Sequence, residues 1–358
     1  MKGEHIMPNR EQAKAALDSV IRKSRVHLYK PIQIAEILYR ARTAPDAIDL
    51  LNLEDYRTKS KKWRDDISVV LLGRVCTSSA RFQDDLFNTN AIPPEILNEL
   101  GNENARTNGA VEAYIYRRFM SKHTQLSEAL TYALGATKES FQVDVFIGSF
   151  WREPGLKRSI DKVYEIVVYS LFSTLVSALE LKVEISINPQ KQALLSEFED
   201  FAKMVMCLDI GNPSNVQDAR VFRVGVTNAA DRGLDMYSNW GPAIQIKHLS
   251  LDEGLAEGIV GSVSSDRIVI VCKDAEERVI LSLLNQIGWR SRIQSIITES
   301  DLTTWYEKAL RGTYAEMLGD ELLLSLCEEI ANEFPSLDET PEVLRERGYE
   351  EITDPFWS

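Results

Sequence analysis

The segment from Val221 to Leu251, V-F-R-V-G-V-T-N-A-A-D-R-G-L-D-M-Y-S-N-W-G-P-A-I-Q-I-K-H-L-S-L, constrains the architecture more than any other. Val221, Phe222, Val224 and Val226 are β-formers in a short run that ends at Thr227 and Asn228, as a strand closing into a turn does. A second short strand is predicted from Leu234 to Ser238. Asn239-Trp240-Gly241-Pro242 then reverses the chain into a third, Ala243 to Leu249. The expectation is a three-stranded meander. Side chains alternate across a strand, so Ile244, Ile246 and His248 point to one face and Gln245, Lys247 and Leu249 to the other. Gln245 and Lys247 therefore share a face, with the carboxylate of Asp235 one strand away.

The flanking periodicities place this meander in an α/β fold. Residues 11 to about 140 are mostly helical, as the spacing of Ala13, Ala16, Leu17, Val20 and Ile21 shows. A loop or short strand is expected from Asp144 to Pro154, a long helix from about Ser159 to Glu180, and a strand from Leu181 to Ile187. A helix over 191–207 carries Leu194, Phe198, Phe201, Ala202 and Val205 on one stripe. After the meander come a short helix at Leu251–Val260 and the apolar run Arg267–Cys272, typical of a strand buried on both faces. A helix at Ala275–Ile287, a strand at Ser291–Thr298 and a helix through Leu322–Ile330 complete the order. The expected division is a helical N-terminal region over 1–150, an α/β core over 151–312 and an acidic helical tail over 313–358.

Composition excludes several classes. The longest mainly apolar run, Ile166–Leu179, is too short to span a bilayer, and Met1–Arg10 lacks the apolar core of a signal peptide. A cytoplasmic location without membrane attachment is expected. Cys76, Cys207, Cys272 and Cys327 form no C-x-x-C, which argues against a disulfide framework and a structural zinc site. No phosphate-binding G-x-x-x-x-G-K-[ST] occurs, and the four histidines show no metal-ligand spacing. The net charge of −13 is concentrated at the end, with thirteen acids against two bases from Thr313 to Ser358. The remainder is near balance, which leaves room for a locally positive cleft. Two clusters mix bases with aromatics, Tyr56–Arg64 and Tyr114–Lys122; the first reads as a solvated helix start or a phosphate-tracking surface, and the second likewise.

An acid on one strand, with a polar residue and a lysine two apart on the next, suits metal-dependent phosphodiester cleavage. The segment D-R-G-L-D-M followed by Q-I-K resembles the PD-(D/E)XK nuclease superfamily in its Mrr-type form. G-L-D-M with A-I-Q-I-K-H-L-S-L resembles the HaeII-like type II restriction endonucleases over about thirty residues. The resemblance implies a PD-(D/E)XK core of order α-β-β-β-α-β and a Mg²⁺-dependent, sequence-specific endonuclease acting on double-stranded DNA. It further implies a homodimer and a cognate DNA methyltransferase on a separate chain. Asp235 would bind the metal, Gln245 and the main-chain carbonyl of Ile246 would complete or orient its shell, and Lys247 would position the water. Gln245 departs from the usual acid and brings no charge. Glu197, with Glu199 as the alternative, is the helical glutamate expected to supply it, and Asp231 either holds a second ion or caps its turn. An Mrr-like nuclease acting on modified DNA, a repair nuclease, and a DNA-binding protein that kept the fold without the chemistry are the other expectations.

Overall fold

The computed structural model describes residues 8–44, 46, 48–75, 84–153, 155–224, 234–262, 265–273, 277–285, 292–334 and 340–358. The N-terminal helices form as their apolar spacing requires. Asn9 and Gln12 cap Arg10–Lys23 reciprocally, and Pro94 opens Pro94–Arg106 where its missing N–H costs nothing. With Tyr29–Thr43 and Lys59–Leu72 they bury one core that contains Leu17, Ile34, Leu38, Leu97 and Phe119. Helix Ala110–Leu134 links this core to the next: Tyr114 and Phe119 belong to the first, Leu126 and Leu130 to the second.

The second core lies under a sheet. Strands β1 (Lys182–Ser186) and β2 (Ser214–Asp218) pair antiparallel as a separate two-stranded sheet. Strands β3 (Val221–Arg223), β4 (Met236–Ser238), β5 (Ala243–Lys247), β6 (Ile268–Cys272) and β7 (Ile293–Ile297) lie in that order in a five-stranded sheet. The pairs β3–β4 and β4–β5 are antiparallel, whereas β5–β6 and β6–β7 are parallel. Helix Ile160–Ala178 packs on one face against Val221, Met236, Ile244 and Ile246, and Ala315–Glu333 packs against that helix. Val163, Ile166, Val167 and Leu171 are wholly buried there. On the other face Ala243, Ile268, Ile270 and Cys272 pack with Leu251, Ala256 and Ile259. β6 is buried along its whole length, as a central parallel strand should be.

The fold is mixed α/β, and the meander stands in its expected place. Three local expectations change. The loop or short strand expected at 144–154 gives way to helix Val143–Arg152, because Val143, Phe146, Ile147 and Phe150 recur at helical spacing and are buried; Pro154 lies outside the described residues. β2 was not foreseen, since S-N-V-Q-D carries one β-former and pairs with β1 across a long connection. The stretch 313–358 is also no tail. Leu322 and Leu326 enter the sheet-side core, and Leu344, Tyr349 and Trp357 enter the N-terminal one. Among the described residues no helix is long and apolar enough to cross a membrane.

Candidate active site

β5 is the strand at which the sheet changes from antiparallel to parallel pairing, and the candidate site lies at its carboxyl end. The turn that feeds it is closely specified. Gly241 has φ 121°, and a Cβ there would strike the Arg267 guanidinium, whose Nη2 donates to Trp240 O at 2.6 Å. Asn239 Oδ1 accepts the Arg220 N–H at 2.9 Å, which ties the turn back to β3.

The register pairs Met236 with Ile244, so Asp235, one residue earlier, lies level with Gln245. β4 begins at Met236, so on that edge Ile246 meets the Asp235 side chain instead of a β4 residue, while β6 flanks it on the other. Asp235 Oδ2 accepts the Ile246 N–H at 2.7 Å and a second hydrogen bond from Gln245 Nε2. Lys247 Nζ is 3.9 Å from the same oxygen. The Asp235 side chain is 15% exposed and that of Lys247 35%, so the acid is enclosed while the amine reaches solvent. Gln245 is buried, and among the described residues its Oε1 has no hydrogen-bond partner. A buried acceptor left open is unusual and points to something that binds there.

A second carboxylate comes from beneath. Glu165, on Ile160–Ala178, is buried and paired with Lys162 at 2.6 Å. Burial pushes the Asp235 carboxyl up to about 6, and the Glu165 charge adds to the shift. Lys247, the Ile246 N–H and Lys162 act in the opposite direction. The charged network continues at the end of β3, where Arg223 Nη2 meets Glu329 Oε2 at 3.2 Å and Glu333 Oε2 at 3.3 Å. Burial also pushes Glu333 up, with Arg223 and Lys162 opposing.

Asp235, Gln245, Ile246 and Lys247 are thus brought together, and Glu197 is not among them. Glu197 is exposed at the end of helix Gln192–Glu197, on a lobe whose own small core is Leu195, Ala202 and Leu208. The acid that acts on Asp235 from a preceding helix is Glu165. Its signal in the sequence is a charge pair at i and i+3 in the first turns of a mainly apolar helix. Asp231 lies outside the described residues. His248 is buried between the rings of Trp151 and Tyr164, on the face opposite Lys247. The cluster Tyr114–Lys122 is largely structural. Tyr114 and Tyr116 are buried, Arg117 donates to Ile352 O and Trp357 O, and Lys122 donates to Ile21 O and Ser24 O. Tyr56 and Arg64 of the first cluster are buried as well, whereas Lys59 and Lys62 are exposed.

Among the described residues no three His, Cys, Asp or Glu side chains converge as a ready-made metal cage. The oxygen donors at the site are the Asp235 carboxylate, the Gln245 amide oxygen and the edge of β5, with the Glu165 carboxylate acting on Asp235 from the helix below. Such an all-oxygen set suits a hard divalent ion that keeps part of its water, rather than zinc or a soft metal.

A family model described as HaeII restriction endonuclease matches residues 13–349. The type II restriction enzyme HaeII of Haemophilus aegyptius is 58% identical over 344 residues, 96% of this chain and 97% of that protein. The type II restriction enzyme NgoBI of Neisseria gonorrhoeae is 56% identical over 346 residues, 95% of this chain and 97% of that one. No solved structure matches.

Proposed function

The chain belongs to the HaeII restriction endonuclease family, and we propose that it is a type II restriction enzyme whose hydrolytic centre is built from Asp235, Gln245, Lys247 and Glu165. It is a sequence-specific endonuclease acting on DNA. The finer assignments are ours. They are a PD-(D/E)XK core, Mg²⁺ as the working ion, double-stranded DNA cut in the cytoplasm by a homodimer, and a cognate methyltransferase on another chain. The helical N-terminal region takes DNA recognition or dimerisation. An antiparallel meander that continues into parallel strands over a packed helix supports the core.

One observation carries the assignment: a single carboxylate oxygen, Asp235 Oδ2, faces the Gln245 amide, the Ile246 N–H and the Lys247 amine. Asp235 and Glu165 would hold the ion, with Gln245 Oε1 as a neutral third donor. The Ile246 carbonyl leaves the strand on the same edge as its N–H and would be a fourth. Two carboxylates completed by neutral oxygens and water are a usual complement for Mg²⁺. A bound divalent ion supplies Lewis acidity, polarising the scissile phosphate and lowering the pKa of bound water. Lys247 extends to solvent beside this carboxylate, so its amine orients the attacking water and stabilises the charge that develops on phosphate. Gln245 holds Asp235 in place through its Nε2 while leaving its oxygen free. The amide substitution therefore keeps the geometry of the usual acid, and Glu165 supplies the missing charge.

Incubating plasmid DNA with the protein tests this. Discrete fragments are expected with Mg²⁺ and none with EDTA. Full cleavage in EDTA, or by an Asp235→Ala variant, would refute the assignment.

A further inference from the structure

An amphipathic helix on a folded protein ordinarily turns its apolar stripe inward. The stretch 192–206 does the reverse. Leu194, Phe198, Phe201 and Val205 recur at i, i+4, i+7 and i+11, and all four are exposed. The helices Gln192–Glu197 and Glu199–Met206 run on through Phe198, whose N–H donates to Leu194 O and whose carbonyl accepts from Ala202 N. Only Leu195 and Ala202, on the other side, are buried. Met204, flanking the stripe, is 84% exposed. The neighbouring β1–β2 sheet has two strands and is exposed along most of both, and a lone two-stranded sheet is marginal in water.

We propose that this lobe, residues 179–218, is the surface through which a second copy of the chain binds, the two stripes packing across a two-fold axis. The five apolar side chains named expose roughly 500 Å², about the largest patch a monomer ordinarily shows and most of the ~800 Å² per partner of a standard interface. The lobe carries seven acids against three bases, Glu197, Glu199 and Asp200 lying beside the stripe, so a DNA backbone is repelled. A stripe that is apolar along its whole length is complementary to itself, which a two-fold contact requires. The inference rests on the nuclease reading in one respect: one Asp235–Lys247 centre per chain meets a duplex of two antiparallel strands, and a two-fold pair offers a centre to each.

Sedimentation of the full-length protein tests it. The wild type is expected at twice the chain mass at micromolar concentration, and Phe201→Glu/Val205→Glu at the chain mass with an unchanged melting temperature. Leu134→Glu, at an exposed apolar position on a different helix, should remain dimeric. Should the double variant fail to fold, Val205→Lys alone carries the same expectation, a loosening of association by at least 100-fold. A monomeric wild type, or a Val205→Lys protein that dimerises as tightly as the wild type, overturns the proposal. Plasmid cleavage by the wild type is read separately: its absence refutes the nuclease assignment and leaves the mass measurement standing.

Discussion

Lys162 and Glu165 form an ion pair of 2.6 Å one turn apart on the mainly apolar helix Ile160–Ala178, and both act electrostatically on Asp235. Burying two charges beside Val163, Ile166 and Val167 is expensive unless they are paired, and the pairing holds the Glu165 carboxylate in one orientation. We assign Lys162 to that positioning and Glu165 to the ion. Glu165→Gln should weaken Mg²⁺ by about 10–100-fold, the usual cost of disturbing a metal shell, and cleavage should recover in part as Mg²⁺ is raised. Glu197→Gln should leave cleavage within a factor of about two, since an exposed surface change ordinarily does little. Equal loss in the two variants would return the helical role to Glu197.

Asp235→Ala and Lys247→Ala should both abolish cleavage while DNA binding in EDTA is retained, because neither assigned role is in base reading. At position 245 the two substitutions separate charge from shape. Gln245→Glu restores an anionic oxygen where Oε1 now stands open, so it should retain more activity than Gln245→Ala. Equal loss would show that Gln245 acts through its hydrogen bond to Asp235 and not through that oxygen.

The Asp235 carboxyl is pushed up to about 6, above the ~3.9 of an unfolded chain. The folded state thus holds this proton more tightly than the unfolded state does. The stability this confers is fully present below about pH 4 and is lost as pH rises through 6. At pH 8 without metal the ionised group costs on the order of 2–3 kcal/mol. Asp235→Asn keeps an acceptor for Ile246 and removes the charge, so in EDTA it should melt above the wild type at pH 8 and level with it at pH 4. Mg²⁺ should reverse the order, since it stabilises only the protein that binds it. For the same reason cleavage should fall as pH drops through 6. An Asn variant no more stable than wild type at pH 8 would mean that Asp235 is not strained in the empty site.

The convergence of the candidate residues that lie on one strand pair was legible beforehand, and the approach of a helical acid, which depends on docking, was not. Asp235, Gln245 and Lys247 follow from period-two alternation and a turn marked by Gly241, which act over about a dozen residues. Glu165 requires knowing which way Ile160–Ala178 faces the sheet, and no local pattern states that. The stripe Leu194–Val205 shows the same limit, because periodicity identifies an apolar face and leaves its partner open. Charge misled in a related way. The acids after Thr313 suggested a tail, but Glu329 and Glu333 pair with Arg223 while Leu318, Leu322, Leu323 and Leu326 fill the core.

That C-terminal segment also closes the N-terminal bundle. Arg347 meets Glu36 at 2.5 Å, Tyr116 donates to the same carboxylate at 2.6 Å, and Tyr349 donates to Glu112 at 2.5 Å. Glu36 and Glu112 are almost wholly buried, so each depends on its partners to satisfy its oxygens inside. Arg347→Ala leaves Glu36 with the Tyr116 hydroxyl alone and should cost about 3–5 kcal/mol, the penalty for breaking a buried pair. Arg347→Ala with Glu36→Gln removes the stranded charge and should recover part of that loss. Urea denaturation of the wild type, the single variant and the pair measures both steps. A single variant within 1 kcal/mol or so of the wild type would mean that Glu36 finds water on losing its partner, and that the C-terminal strap contributes little to holding the bundle together.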